Sequence, residues 1–187
     1  MKLLLASNSP RRRELLHLLD IDYEIVTPRE IDEVYPADLK PENVAPYLSA
    51  LKADAYLDLP GENEILVTAD TVVICGGRIL GKPHSEDEAI AMLKSLSDRS
   101  HTVVTGVTLV SACRRITFAE HTVVTFDALS DNDIKSYVRK YKPFDKAGAY
   151  GIQEWIGAIG IKGIDGCFYN VMGLPVHALW RNLQNLL

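Results

Sequence analysis

Segments typical of strands alternate with segments typical of helices along most of this chain. An apolar run at residues 2–6 is followed by a helix-like segment with Ser9 as its N-cap and Pro10 in its first position. Residues 102–110 and 116–126 are rich in Thr and Val and are separated by a short polar segment, which predicts a long antiparallel hairpin. Interleaved helices together with an antiparallel hairpin predict a mixed central sheet flanked by helices, so the expected fold class is α/β.

The remaining segments fit the same architecture. Strands are predicted at residues 23–26 and 64–74, the second with a break at its polar insert 68–71. From the end of the helix that Ser130 caps to Asn170, the chain is predicted to be irregular, with short strands. Four more helices are predicted: one from residue 41 with Val44, Leu48, Leu51 and Ala55 on its buried face, one capped by Ser85, one capped by Ser130, and one over residues 176–187.

Length and charge exclude several classes of protein. A chain of 187 residues can bury the core of one domain, and we expect a single domain over residues 1–187 with two lobes. Twenty Lys and Arg against 25 Asp and Glu give a net charge of −5, so we expect no nucleic-acid partner. No apolar run is long enough for a membrane span or a signal peptide. Three widely spaced cysteines indicate neither a disulfide framework nor a zinc site, and we therefore expect a cytoplasmic protein.

The strongest local signal for function is the turn formed by residues 7–13. Residues 1–13 contain four basic side chains and no acidic one, and Ser7 and Ser9 add two hydroxyl groups at the start of a helix. Free N–H groups, the helix dipole and guanidinium groups all favour a bound anion such as phosphate. A solvated basic surface is the alternative for this segment.

Three other charged positions need an explanation. Asp70 lies within an apolar strand, where a carboxylate needs a cation or a metal. Lys52 borders the apolar face of its helix, so it is either a snorkelling lysine or a functional one. Lys82 ends a segment that resembles a phosphate-binding P-loop, but Pro83 stands where that motif needs Ser or Thr. Glu33 belongs to an acidic cluster just after the second predicted strand, and it is either a functional acid or a solvated surface residue.

These charges imply a metal if the ligand is a polyphosphate. A carboxylate would repel phosphate by about 4 kcal/mol per charge pair at about 4 Å unless a divalent cation lies between them. Oxygen ligands select Mg²⁺ or Mn²⁺, so we expect one of these ions as the cofactor.

Seven short blocks, taken in order, resemble the Maf family, which is related in fold to the Ham1 group of ITP pyrophosphatases. The blocks are residues 5–16, 32–33, 52–53, 69–73, 81–83, 147–153 and 170–175. The resemblance implies the Maf/Ham1 (ITPase-like) fold, with a cleft between two lobes. It also implies hydrolysis of nucleoside triphosphates to the monophosphate and pyrophosphate with a divalent metal.

The resemblance further implies a role for each candidate residue. Asp70 matches the family's general base, and Glu33 and Asp70 match the acidic residues around the metal. The substrate-binding set comprises Ser7, Ser9, Arg11, Arg12, Lys52, Thr71, Lys82 and Gln153. Within the family, Arg11, Thr71 and Gln153 resemble the subgroup that acts on dTTP and UTP, and modified pyrimidine nucleotides are a further expected substrate class. The amide of Gln153 can read the imide edge of uracil or thymine, because it offers one donor and one acceptor.

Two alternatives stay open at this point. The chain could instead be a nucleotide-binding regulator of septum formation with little turnover, since the family name refers to that process. The sequence does not fix the oligomeric state, and a homodimer is one alternative.

Overall fold

A computed structural model of the protein describes residues 1–186 and shows a mixed α/β fold. Within these residues seven strands form one sheet: β1 (Lys2–Leu5), β2 (Tyr23–Ile25), β3 (Glu64–Cys75), β4 (Arg78–Leu80), β5 (Ser100–Val110), β6 (Arg115–Phe126) and β7 (Ile161–Asp165). The strand order is β2-β1-β3-β5-β6-β7, with β4 paired to β3. Strand β1 is parallel to β2 and β3, whereas β3–β4 and β6–β7 are antiparallel. The predicted fold class, with a mixed central sheet and helices, is confirmed.

Seven α-helices accompany the sheet in the described part of the chain. They are α1 (Pro10–His17), α2 (Pro41–Asp54), α3 (Glu86–Leu96), α4 (Asp131–Tyr141), α5 (Trp155–Gly160), α6 (Phe168–Met172) and α7 (Val176–Gln184). A 3-10 turn covers Ala147–Ala149. The N-caps that the sequence indicated are present, since Ser85 accepts a hydrogen bond from the Glu88 amide and Ser130 accepts one from the Asp133 amide. The predicted end of the last helix includes Leu187, which lies outside the described residues.

The chain forms two compact units. The first contains residues 1–70 and 105–120 and the segment that begins at Gly173, and the second contains residues 71–104 and 121–172. In the first unit, Leu4, Ala53, Tyr56 and Leu66 belong to one buried cluster. A buried cluster of the second unit joins residues of α3 and α4 to β5, β6 and the segment 149–156.

The structure corrects two local predictions. Strand β3 runs without a break through residues 68–71, because the polar insert is satisfied inside the strand: Thr68 is buried and its hydroxyl donates to the Ser49 carbonyl oxygen at 2.7 Å. Residues 142–170 contain the short helices α5 and part of α6 as well as the expected short strand. These helices span six and five residues, too few for a helical hydrophobic period to appear in the sequence.

No helix among residues 1–186 combines the length and the apolar character that crossing a membrane requires.

Candidate active site

The turn before α1 is shaped by the two serine hydroxyl groups. Ser7 Oγ accepts a hydrogen bond from the Ser9 amide at 3.2 Å, and Ser9 Oγ accepts one from the Arg12 amide at 3.4 Å. Ser9 has an extended backbone and Pro10 follows it, which is the arrangement expected at a helix N-terminus. Because each hydroxyl accepts in these bonds, its own proton can be donated to a ligand oxygen.

Arg12 connects three segments of the first unit. Its Nε donates to the Gly173 carbonyl oxygen at 2.8 Å, and its Nη1 donates to the Ala69 carbonyl oxygen at 2.8 Å. Burial lowers the pKa of this guanidinium, and the charge of Asp70 acts in the opposite direction. Sequence reasoning assigned Arg12 only to phosphate, whereas the structure shows that it also fixes the backbone directly before Asp70.

Lys52 brings the two candidate acidic residues together. Its Nζ lies 2.6 Å from Asp70 Oδ1 and 3.1 Å from Glu33 Oε2. The three residues come from different segments: Lys52 from the last turn of α2, Asp70 from β3, and Glu33 from the loop after β2. The side chains of Lys52 and Asp70 are 15% and 14% exposed, while that of Glu33 is 52% exposed. The ammonium therefore pairs with carboxylates rather than reaching solvent as a snorkelling lysine would.

The pair Glu33 and Asp70 fits a divalent cation as a partial ligand set. Their carboxylates already converge on one positive charge, and carboxylate oxygens suit Mg²⁺ or Mn²⁺. No group of three or more His, Cys, Asp or Glu side chains among residues 1–186 could hold a metal by itself. Two carboxylates are nevertheless a common protein contribution to Mg²⁺, because water and substrate phosphates complete its coordination.

Arg11 and Thr71 are the remaining predicted site residues on α1 and β3. Arg11 is the second residue of α1 and is partly buried. Thr71 follows Asp70 directly on β3, is partly buried and is the first residue of the second unit. Consecutive strand residues point to opposite faces, so the side chains of Asp70 and Thr71 lie on different sides of the sheet.

Lys82 and Gln153 lie in two loops of the second unit that contact each other. Lys82 follows β4 and is exposed, and Gln153 is exposed in the turn that precedes α5. The Gly148 amide donates to the Gly81 carbonyl oxygen at 3.0 Å, which ties the Lys82 loop to the segment that leads to Gln153. Gly148 has a φ of +69°, and a Cβ there would lie 3.1 Å from the Val73 side chain, so a glycine is favoured at this tight contact.

Sequence reasoning missed the side chains that hold the turn in which Gln153 lies. Tyr137 lies on α4 and donates its hydroxyl proton to Glu154 Oε2, while the Tyr137 hydroxyl oxygen accepts a hydrogen bond from the Gly151 amide at 3.1 Å. Burial, followed by the hydrogen bond to Glu154, raises the pKa of this tyrosine. A signal was present in the sequence, because Tyr137 falls on the apolar face of α4 with Ile134 and Val138, and a buried hydroxyl needs a partner.

Comparison with known proteins identifies the family. The family model described as "Maf-like protein" matches residues 2–186. This chain belongs to the Maf family. It is similar to a dTTP/UTP pyrophosphatase of Bacteroides thetaiotaomicron, with 50% identity over 99% of this chain and 96% of that protein. A dTTP/UTP pyrophosphatase of Phocaeicola vulgatus is 51% identical over the same shares of the two chains.

Among solved structures, the Ham1 protein of Staphylococcus aureus is similar to this Maf protein with a TM-score of 0.49 and 15% identity, over 67% of this chain and 72% of that one. The expected membership of the Maf family is confirmed by the family model and by the curated relatives.

Proposed function

We propose that this protein hydrolyses dTTP and UTP to the nucleoside monophosphate and pyrophosphate. Relatives with this name share about half of their residues with it over nearly the full length of both chains. Within the molecule, the observation that carries the proposal is the sharing of the Lys52 ammonium by Asp70 and Glu33. A mostly buried carboxylate with a cation beside it suits proton transfer next to a polyanionic substrate.

In the proposed reaction Asp70 acts as general base. It takes a proton from a water molecule whose oxygen forms a bond to the α-phosphorus. The bond between the α-phosphorus and the oxygen that bridges to the β-phosphorus then breaks, and pyrophosphate leaves with that electron pair. No covalent intermediate with the protein is needed, because water is the nucleophile.

The positively charged and hydroxyl side chains are assigned to the phosphates. Lys52, Lys82 and Arg11 neutralise phosphate charge, and Arg12 contributes while it holds the backbone at Ala69. Ser7 and Ser9 donate hydroxyl protons at the positive end of the α1 dipole.

Glu33 and Asp70 are the residues that would hold a divalent cation, and the relatives' names are consistent with such a requirement. When bound, Mg²⁺ or Mn²⁺ would neutralise charge on the phosphate oxygens of the substrate. The Lys52 ammonium, which lies between these two carboxylates, supplies positive charge at the same place.

Base selection is assigned to Gln153. Arg11 and Thr71 are the other two residues in which this chain resembles the subgroup that acts on dTTP and UTP. Gln153 is exposed, and its amide offers a donor and an acceptor to the imide edge of uracil or thymine. A Gln153→Glu substitution should therefore change the preference among bases more than the affinity for the triphosphate. An equal loss of activity of Gln153→Glu on all nucleotides would contradict this role.

Pyrophosphate release from a panel of nucleotides, with Mg²⁺ or Mn²⁺ and with a chelator, tests the activity. We expect turnover of dTTP and UTP and a loss of kcat of at least about 100-fold in Asp70→Asn, as for removal of a general base. Asp54→Asn is the matched control, because Asp54 is an exposed carboxylate at the end of α2 that pairs with Arg115. Absence of turnover of both nucleotides, or full activity of Asp70→Asn, would refute the proposal.

The names of the relatives favour an enzyme over a nucleotide-binding regulator of septum formation. A cytoplasmic location is also proposed, and it is supported by the three cysteines, which are all free in the described residues.

A further inference from the structure

Gln153 occupies a tight turn whose two ends are joined by the backbone. The Glu154 amide donates to the Gly151 carbonyl oxygen at 3.0 Å, so Ile152 and Gln153 are the two central residues of a four-residue turn. Ile152 is buried in the core of the second unit, whereas Gln153 is exposed. The turn therefore presents Gln153 outward from a point that is fixed by the core.

One hydroxyl group holds both ends of this turn. Tyr137 Oη accepts the Gly151 amide at 3.1 Å and donates its own proton to the carboxylate of Glu154. Tyr137 is one of the largest fully buried side chains, and its ring stacks on that of Tyr141 with centroids 4.9 Å apart. Because the ring is fixed on α4, its hydroxyl is a stationary anchor for Gly151 and Glu154, the two ends of the turn.

The carboxylate of Glu154 is held on its other side by a lysine. Lys146 Nζ lies 3.2 Å from Glu154 Oε1, and the Lys146 side chain is only 10% exposed. A second carboxylate, that of Asp145, lies 2.8 Å from the same ammonium. A Cβ at Gly151 would lie 2.8 Å from Glu154 Cδ, so the glycine leaves the space that this carboxylate occupies. Glu154 is thus fixed by an ion pair and a hydrogen bond together.

We propose that Tyr137 and Glu154 are positioning residues for base selection, because they hold the turn that directs the Gln153 amide. This inference rests on the proposed function. Discrimination between bases requires the amide donor and acceptor to reach the base from a defined position and direction. A fixed backbone supplies that position, because it sets where the Gln153 side chain starts and limits the directions from which its amide can reach the base. Neither residue is expected to touch the nucleotide or to take part in proton transfer.

Tyr137→Phe tests the proposal, because it removes the anchoring hydroxyl and keeps the buried ring. UTP and CTP are the probes, since their bases differ at the C4 group and one ring nitrogen, within the edge that an amide would read. We expect KM for UTP to rise and the ratio of kcat/KM for UTP to that for CTP to fall roughly fivefold, the order of one lost hydrogen bond. The kcat for UTP should change little, since Asp70 is untouched.

Tyr141→Phe is the matched control. It makes the same chemical change one helical turn away, on the ring that stacks against Tyr137, and Tyr141 takes no part in the bonds to Gly151 and Glu154 among the described residues. The ratio of kcat/KM for UTP to that for CTP should be the same in Tyr141→Phe as in the wild-type protein. An equal ratio in Tyr137→Phe and Tyr141→Phe would overturn the proposal, as would a fall in kcat for both nucleotides with an unchanged ratio.

Glu154 is tested by two substitutions. Glu154→Gln keeps an oxygen that accepts from Tyr137 and should retain most of the discrimination, whereas Glu154→Ala should lose it. If Glu154→Gln and Glu154→Ala had the same ratio of kcat/KM for UTP to that for CTP, the role of Glu154 would be contradicted.

A measurement without turnover separates this inference from the proposed function. Hydrogen exchange of the Gly151 amide should be roughly fivefold faster in Tyr137→Phe than in Tyr141→Phe. Equal exchange rates would refute the anchoring itself. Failure of the wild-type protein to hydrolyse UTP or dTTP would refute the proposed function instead, whatever the exchange rates show.

Discussion

Lys52 Nζ lies 2.6 Å from Asp70 Oδ1, and both side chains are mostly removed from solvent. The lysine also contacts Glu33, so one ammonium faces two carboxylates. Taking charged groups out of water costs free energy that only their mutual attraction and further hydrogen bonds offset. Such a pair is therefore sensitive to the loss of either partner. A metal cation should bind the two carboxylates more favourably once the Lys52 ammonium is removed.

Lys52→Met should bind Mn²⁺ more tightly than the wild-type protein when no nucleotide is present. The substitution keeps the apolar stem and leaves two carboxylates without their cation, which should raise metal affinity roughly tenfold. The free energy of unfolding without metal should fall by about 3 kcal/mol, since a mostly buried carboxylate loses its partner. Thermal unfolding across a Mn²⁺ titration measures both effects.

Lys162→Met is the control for this prediction. Lys162 also faces two carboxylates, Asp98 at 3.9 Å and Asp127 at 3.7 Å, but these groups are about half exposed or more. Its substitution should change stability by less than about 0.5 kcal/mol and should not alter the response to Mn²⁺. Identical Mn²⁺ responses of Lys52→Met and the wild-type protein would show that Asp70 and Glu33 do not form a cation site.

The sequence pointed to candidate residues for this site without giving their contacts. Asp70 was identified because a carboxylate within an apolar strand needs a partner, and that physical argument holds without any structure. Its partner, Lys52, is 18 residues away on α2 and was equally consistent with a snorkelling lysine. Only packing of α2 against the sheet decides between these alternatives. The same limit applies to Arg12, whose carbonyl partners at Ala69 and Gly173 are remote in sequence.

Fold prediction succeeded where local signals were strong and failed where elements were short. Capped helices such as α3 and α4 carry their start signals within four residues, so they were found. Helix α5 has six residues, of which two are glycines, so it is too short for a helical hydrophobic period to be recognised in the sequence. Tyr137 was missed because its partners, Gly151 and Glu154, lie 14 and 17 residues further along the chain.

Arg12→Lys should destabilise the protein although it preserves the positive charge. A single ammonium cannot reproduce the planar fork that reaches the Gly173 and Ala69 carbonyl oxygens together, so one buried acceptor loses its donor. We expect the free energy of unfolding in urea to fall by about 1–3 kcal/mol. Because Ala69 precedes Asp70, kcat should fall as well as KM rise. A change in KM alone, with unchanged stability, would indicate that Arg12 serves only the phosphates.

His101 should make stability dependent on pH in the acidic range. His101 is 3% exposed, its Nε2 pairs with the Tyr150 hydroxyl at 2.7 Å, and burial lowers the pKa of its ring to about 4. In the unfolded chain a histidine takes up its proton near pH 6.5. Between these values the unfolded state binds more protons, so stability should fall by about 3 kcal/mol as pH decreases from about 6.5 to about 4.

His101→Gln isolates that contribution, because the amide can still pair with Tyr150 but does not titrate. Urea unfolding at a series of pH values should show a shallower acid loss in this variant than in the wild-type protein. Parallel pH profiles would mean that other groups cause the acid sensitivity.

Gly106→Ala should prevent stable folding of the first unit. Gly106 lies on β5, where a Cβ would come within 2.2 Å of Pro46 N and 2.3 Å of Ala45 C in the backbone of α2. Backbone atoms cannot move aside as a flexible side chain can, so α2 would have to shift from the sheet, at a cost of more than about 3 kcal/mol. Gly163→Ala on β7 is the control, since its nearest neighbour would be Thr125 Cβ at 3.9 Å, an ordinary contact.

Thermal unfolding of both variants measures the difference in stability between Gly106→Ala and Gly163→Ala. Because Lys52 is carried by the same helix, a partly folded Gly106→Ala protein should also lose turnover, whereas Gly163→Ala should retain it; equal stability of the two variants would show that α2 does not pack on β5 as closely as these distances require.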